Sequence, residues 1–118
     1  MQVQAITRNV NMSAQKMREV VRQIQGLPAL HAQAVLAVVP RKSARFVAKT
    51  LKSAIANAED QARHQKNNQF KTENLRVHSA VAGTASTANR KRFTPKARGS
   101  AGPIIKRTSH IKIVLSDE

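Results

Sequence analysis

The sequence predicts an α+β fold: three helices packed on a small three-stranded antiparallel sheet, with a long protruding β-hairpin. Three observations lead there. Apolar residues recur at helical spacing from Met17 to Ala62. Leu75 to Val81 and Ile104 to Leu115 show the two-residue alternation of half-buried strands. Between them, Asn89 to Gly102 (NRKRFTPKARGSAG) carries Arg90, Lys91, Arg92, Lys96 and Arg98, no acid, and the turn-formers Pro95 and Gly99. That stretch has too much charge and too little apolar area to bury itself, so a polyanion has to order it.

Taken in order, Val3, Ala5 and Thr7 alternate with Gln4, Ile6 and Arg8, a short strand. Ser13 is placed to cap a first helix, whose inner face is Met17, Val20, Val21 and Ile24; Gly26 and Pro28 end it. Lys16, Arg18 and Arg22 face outward. A second helix is predicted over Ala29–Val38, with Leu30, Ala34 and Val38 as its stripe, and Pro40 stops it or starts the next. The third is the clearest, with Ala44, Val47, Ala48, Leu51, Ile55, Ala58 and Ala62 on one face. Its first half carries Arg41, Lys42, Arg45, Lys49 and Lys52, cations at the end where the helix dipole opposes them. An anionic partner near that end explains their position.

Lys66–Gln69 is a polar break. Leu75, Val77, Ser79 and Val81 form the predicted apolar face of the next strand, opposite Arg76, His78 and Ala80. Gly83–Ala88 is a weak strand or a flexible arm. Ile111, Ile113 and Leu115 alternate with Lys112, Val114 and Ser116 in the return strand. Pro103 cannot donate to a ladder and marks an edge-like stretch. The organisation read from this is one domain over 1–118, with a body of about 1–82 plus 103–118 and a basic hairpin over about 83–102.

The chain of 118 residues has 21 Lys+Arg against 6 Asp+Glu, a formal charge of +15. From Asn74 to Ser116 there is no acid, against Arg76, Arg90, Lys91, Arg92, Lys96, Arg98, Lys106, Arg107 and Lys112. Cysteine is absent, which removes disulfides, thiolate metal sites and thiol chemistry. No run of 18 apolar residues exists to span a membrane. The N-terminus lacks the layout of a secretory signal. These features describe a soluble intracellular protein whose partner is a dense polyanion.

Five cations in the nine residues Arg90–Arg98, flanked by strands, point to nucleic acid. Lysine and arginine neutralise phosphates and release counterions. Phe93 is placed to stack on a base or to staple the two arms. The body cations Lys16, Arg18, Arg22, Arg41, Lys42, Arg45 and Lys49 form a second phosphate surface, and Lys106, Arg107, Thr108, Ser109 and His110 add rRNA-binding donors at the hairpin base. His31, His64, His78 and His110 make no metal pair; His110 reads as a structural or backbone-contacting residue rather than a metal ligand. Glu59 and Asp60 are adjacent and diverge on a helix, so they are no acid–base pair. No phosphate loop, dinucleotide turn or nucleophile elbow is present. No catalytic residue, metal or cofactor is assigned.

Several segments resemble one family. Pro95-Lys96-Ala97-Arg98-Gly99-Ser100 followed by Lys106-Arg107-Thr108-Ser109-His110-Ile111-Lys112-Ile113 looks like the C-terminal signature of the large-subunit ribosomal protein L twenty-two family. That pattern sets a His-Ile pair eleven positions after the Gly of an Ala-x-Gly turn, and Gly99 and His110 keep the spacing. Ser53–Glu59 (SAIANAE) resembles the family's third-helix motif, and Ser13–Arg18 (SAQKMR) its first-helix opening. The resemblance implies a body on the outer face of the large subunit near the peptide exit. It implies a hairpin threading between rRNA segments and lining the exit tunnel at its constriction, opposite an extension of the fourth large-subunit protein. It implies binding to many rRNA domains early in assembly, and a hairpin whose changes alter macrolide susceptibility and nascent-chain stalling. The matching tip positions are Arg90 to Ser100.

The implied partners are large-subunit rRNA, neighbouring large-subunit proteins and the nascent polypeptide, with no membrane and no stable homo-oligomer. The implied location is the ribosome in the cytoplasm; the lack of a transit extension favours a bacterial over an organellar one. Lys96 stands where the family usually has Arg, and Ser100 where many members have Arg. Thr87-Ala88 replaces a common Gly-Pro, and Pro103 a position often basic. Two other classes compete: a DNA-architectural protein that wedges Pro95 into the minor groove, and an RNA-processing enzyme using His78 or His110.

Overall fold

The computed structural model describes residues 2–64, 74–86 and 91–117, with only the backbone of Lys91. Its elements run β1 (Gln2–Val10), α1 (Ala14–Ile24), α2 (Ala29–Val38), α3 (Lys42–His64), β2 (Arg76–Thr84), β3 (Lys91–Pro95), β4 (Ala101–Ile105) and β5 (Ser109–Ser116). Three of the strands form one antiparallel sheet in the order β1-β5-β2. The C-terminal strand is therefore central. It needs apolar side chains on the face the helices cover, and Ile111, Ile113 and Leu115 are fully buried there. Burying each contributes on the order of 1.5–3 kcal/mol.

Helices α1 and α3 lie on this face, α1 against β2 and α3 against β1 and β5, while α2 packs on α3. Met17, Val20, Val21 and Ile24 of α1 meet Val47, Leu51, Ala54 and Ala58 of α3 in one core. The alanines let α3 approach closely, and two side chains tie it to β1. The Thr50 and Thr7 hydroxyls are 2.7 Å apart, and Asn57 Nδ2 donates to the Gln4 carbonyl at 3.2 Å.

Strand β2 lies at the edge of the sheet, where open backbone groups invite pairing with another chain. The α1–α2 connection closes that edge. Gly26 N–H donates to the Val77 carbonyl, Val77 N–H to Leu27, and Ala29 N–H to Leu75, each at 2.9 Å. Gly26 makes this turn at φ 78°, a backbone angle glycine adopts without a Cβ clash. Further along, Gln25 Nε2 donates to the Ala80 carbonyl at 2.7 Å and Arg18 Nε to Ala82 at 3.0 Å.

Three expectations about local structure are corrected. On α2 the buried positions are Ala29, Ala32 and Leu36, whereas Leu30 is 59% and Val38 81% exposed. Apart from His31 and Gln33 this helix is apolar on every side, so periodicity alone does not choose its inner face. On β2 a register shift between Val77 and Ser79 inserts one residue and exchanges the two faces beyond it. Ala80 and Ala82 are then buried, and Val81 is 54% exposed rather than facing the core. Ser13 occupies the N-cap of α1 but makes no side-chain cap hydrogen bond. The polar break at Lys66–Gln69 lies outside the described residues.

Strands β3 and β4 form a separate two-stranded sheet, with Lys91 opposite Ile105 and Pro95 opposite Ala101. The molecule extends 70 × 27 × 17 Å, with a radius of gyration of 17.9 Å. A compact chain of this length would have about 13–14 Å.

Core and surface positions assigned in this way differ in cost. Leu51→Ala should destabilise the protein by about 2–5 kcal/mol. Val38→Ala and Val81→Thr should each stay within about 0.5 kcal/mol of the parent. Urea unfolding followed by circular dichroism checks all three.

Candidate nucleic-acid interface

The β3–β4 hairpin ends in the turn Lys96–Ser100. Lys96 N–H donates to the Ser100 carbonyl at 2.7 Å, and Ser100 Oγ donates to the Ala97 carbonyl at 2.8 Å. Arg98 and Gly99 both have positive φ, 60° and 73°. Glycine adopts that angle freely, whereas the arginine costs on the order of 1–2 kcal/mol there. The turn therefore carries a cation where glycine would fit better. Arg92, Phe93, Lys96, Arg98, Gly99 and Ser100 are all exposed, Phe93 at 67%. Pro95 is the last paired residue of β3, so the apex belongs to Ala97–Gly99 rather than to the proline.

One finger residue is buried by its neighbour: Gly102, over which the Lys96 side chain lies. A Cβ built on Gly102 would stand 2.5 Å from Lys96 Cε and 2.9 Å from Cγ. The missing side chain thus makes a seat for the lysine stem, and Lys96 itself remains exposed.

The second basic surface lies where α2 passes into α3. Arg41, Lys42 and Arg45 line a cleft of about 690 Å³ with Leu36, Val39, Pro40 and Ala48. No acid occupies the first turn of α3, so its free N–H groups and these cations present positive potential together. Arg41 Nη1 is held at 2.5 Å by Glu19 Oε2, an exposed ion pair of small net value. Among the described residues Lys42, Arg45 and Lys49 make no ion pair.

Residues 5–116 match the family described as ribosomal protein L22p/L17e. The chain belongs to this family. It is 49% identical over 117 residues to the large ribosomal subunit protein uL22 of Opitutus terrae, covering 99% of this chain and 96% of that protein. It is 42% identical over 118 residues to the uL22 protein of Akkermansia muciniphila, covering 100% and 98%. The Latilactobacillus sakei uL22 protein is 46% identical over 110 residues, covering 93% and 87%. As a member of the L22p/L17e family the chain is a ribosomal protein, a structural component and not a catalyst. Among the described residues no helix is long and apolar enough to cross a membrane.

With the L22p/L17e framework in place, the residues singled out from the sequence fall into three groups. Arg92, Phe93, Lys96, Arg98, Gly99 and Ser100 share the finger, and Lys16, Arg22, Lys42, Arg45, Lys49, Lys106 and Arg107 are exposed on the body. Arg90 lies outside the described residues. A third group has work within the fold: Arg18 donates to β2, Arg41 pairs with Glu19, and His110 Nδ1 accepts from Asn9 N–H at 3.1 Å. Ser109 is wholly buried at the start of β5, and its Oγ has no hydrogen-bond partner. It therefore lies off the surface on which the sequence placed it, because it shares the core-facing parity of Ile111. Gly102 went unassigned, since a glycine in a strand gives no hint of which side chain will cover it.

Replacing Gly102 by Ala should expel the Lys96 stem from its seat. Two-dimensional NMR of the full chain should then show no cross-peaks between position 102 and the Lys96 methylenes. Body stability should change by less than about 0.5 kcal/mol.

Proposed function

We propose that this chain is a structural constituent of the large ribosomal subunit that binds large-subunit rRNA, assists early assembly, and lines the polypeptide exit tunnel with its β3–β4 finger. The observation that carries this reading is the family match across residues 5–116, joined to a finger whose exposed cations have no acid nearby in sequence. It works in the cytoplasm, within the ribosome. Its partners there are rRNA, neighbouring large-subunit proteins and the nascent chain at the tunnel wall.

Binding proceeds by phosphate neutralisation. Arg92, Lys96 and Arg98 on the finger, with Lys42, Arg45 and Lys49 on α3, replace condensed counterions, and the released ions drive association. The finger gains its fixed path from the RNA around it, because a two-stranded hairpin alone is marginal in water. Phe93 offers an exposed ring for a base. Lys96 supplies a point charge rather than the bidentate fork of an arginine. Ser100 leaves the tip one cation short of many relatives. The DNA-wedge alternative loses its geometric support with Pro95 inside the ladder instead of at the apex.

Co-sedimentation with large subunits after a high-salt wash tests the reading directly; free protein left at the top of the gradient, or a preference for duplex DNA over rRNA, would sink it. The triple change of Arg92, Lys96 and Arg98 to Ala should leave the helical body folded. It should lower the slope of log affinity against log salt by roughly two units, at about 0.7 for each phosphate no longer neutralised. Affinities for deproteinised large-subunit rRNA over a salt series measure this.

A further inference from the structure

The helices cover one face of the β1-β5-β2 sheet, and the other face is open. On that open face Ile6, Arg8, Val81, Gly83, His110 and Lys112 line a groove of about 580 Å³. Lys112 of the central strand stands in register between Ile6 of β1 and Val81 of β2. Both aliphatic residues are exposed, Ile6 at 45%. His110 stands opposite Gly83.

Three features of this groove point to an occupant. The first is Gly83. Its φ is not in the positive range, and a Cβ built there meets nothing within 4 Å. Glycine weakens a strand interior, and neither backbone angle nor crowding within the chain calls for it here. Its effect is to leave space above the sheet beside His110. The second is the histidine's proton. Asn9, itself at φ 57°, points its N–H at His110 Nδ1. The neutral ring must then carry its hydrogen on Nε2, which makes that nitrogen a donor. The third is charge. Strands β1, β2 and β5 contain no Asp or Glu. The groove's side-chain polar groups are therefore donors or cations: Arg8, Lys112 and His110 Nε2–H.

We propose that this open sheet face is a further RNA-backbone site, in which phosphates meet Arg8, Lys112 and His110 while a ribose lies on Ile6 and Val81 in the space left by Gly83. The inference rests on the rRNA-binding reading above and adds a surface on the opposite side of the sheet from α3. An extended sugar–phosphate strand suits the groove. It offers only acceptors to the donors and an apolar sugar edge to the aliphatic floor.

The test uses the full chain with deproteinised large-subunit rRNA as the probe. Gly83→Val fills the groove with a residue that strands favour, so circular dichroism should show an intact fold. It should weaken rRNA binding about tenfold, the factor that 1.4 kcal/mol represents. The double change Arg8→Ala with Lys112→Ala should lower the salt slope by about 1.4 units. A wild-type chain that does not bind rRNA would overturn both readings. A wild-type chain whose binding depends on Arg92, Lys96 and Arg98, but is unchanged by both sheet variants, would overturn this inference alone. Sheet variants that keep full affinity for naked rRNA yet fail to enter subunits reconstituted with the other large-subunit proteins would assign the groove to a protein, and would likewise overturn it.

Discussion

Strand β5 is hydrogen-bonded to β1 on one side and to β2 on the other, and the rest of the molecule takes its position from that double pairing. The central place of this last strand needs both earlier strands as neighbours. Once there, Ile111, Ile113 and Leu115 fix which face α1 and α3 must cover. The same pairing sets the root of the finger. Thr84 is opposite Ser109, Ala85 N–H donates to the Thr108 carbonyl at 3.1 Å, and the Thr108 hydroxyl reaches the Ser86 carbonyl. The outgoing and returning chains thus leave the body clamped side by side. The buried Ser109 hydroxyl at this root is the one side-chain polar atom identified, among the described residues, as both buried and without a partner. An unmet hydroxyl of this kind costs about 1–3 kcal/mol.

The two parts of the molecule obey different physics. The body is held by ordinary apolar burial, with its exposed sheet edge closed by the α1–α2 connection. The finger has a backbone ladder, exposed cations and one covered glycine. Its conformation is set locally, by the β3–β4 ladder and by hydrogen bonds within the turn. Among the body cations the structure draws a further distinction. Arg18 and Arg41 are already engaged within the chain, while Lys42 and Arg45 stand at a helix start whose first turn holds no acid.

Much of this was legible in the residues. The third helix announced itself because its inner face is apolar and its outer face is charged, so only one orientation buries the right side chains. The second helix did not, because Leu30 and Val38 are as apolar as Ala32 and Leu36, and only its docking on α3 decides between them. The alternation in β2 was visible but its parity was not, since an inserted residue at the bulge is silent in a pattern of period two. The basic stretch was plain from charge alone. What charge could not tell was that much of it is paired strand, that the apex falls after Pro95, or that Gly102 seats Lys96. Those follow from cross-strand register, which links residues distant in the chain.

The bulge beside His78 is what lets Val77 and Ala80, three residues apart, both face the core. It also makes the residue at this point dispensable to the pairing. A gene losing that single codon would restore plain alternation from Val77 onward: Ala80 and Ala82 would keep their places opposite Ile113 and Ile111, and Val81 and Gly83 would stay on the open face. Gaining a residue further along, between Ala80 and Ala82, has no such outlet and would turn the rest of the strand over.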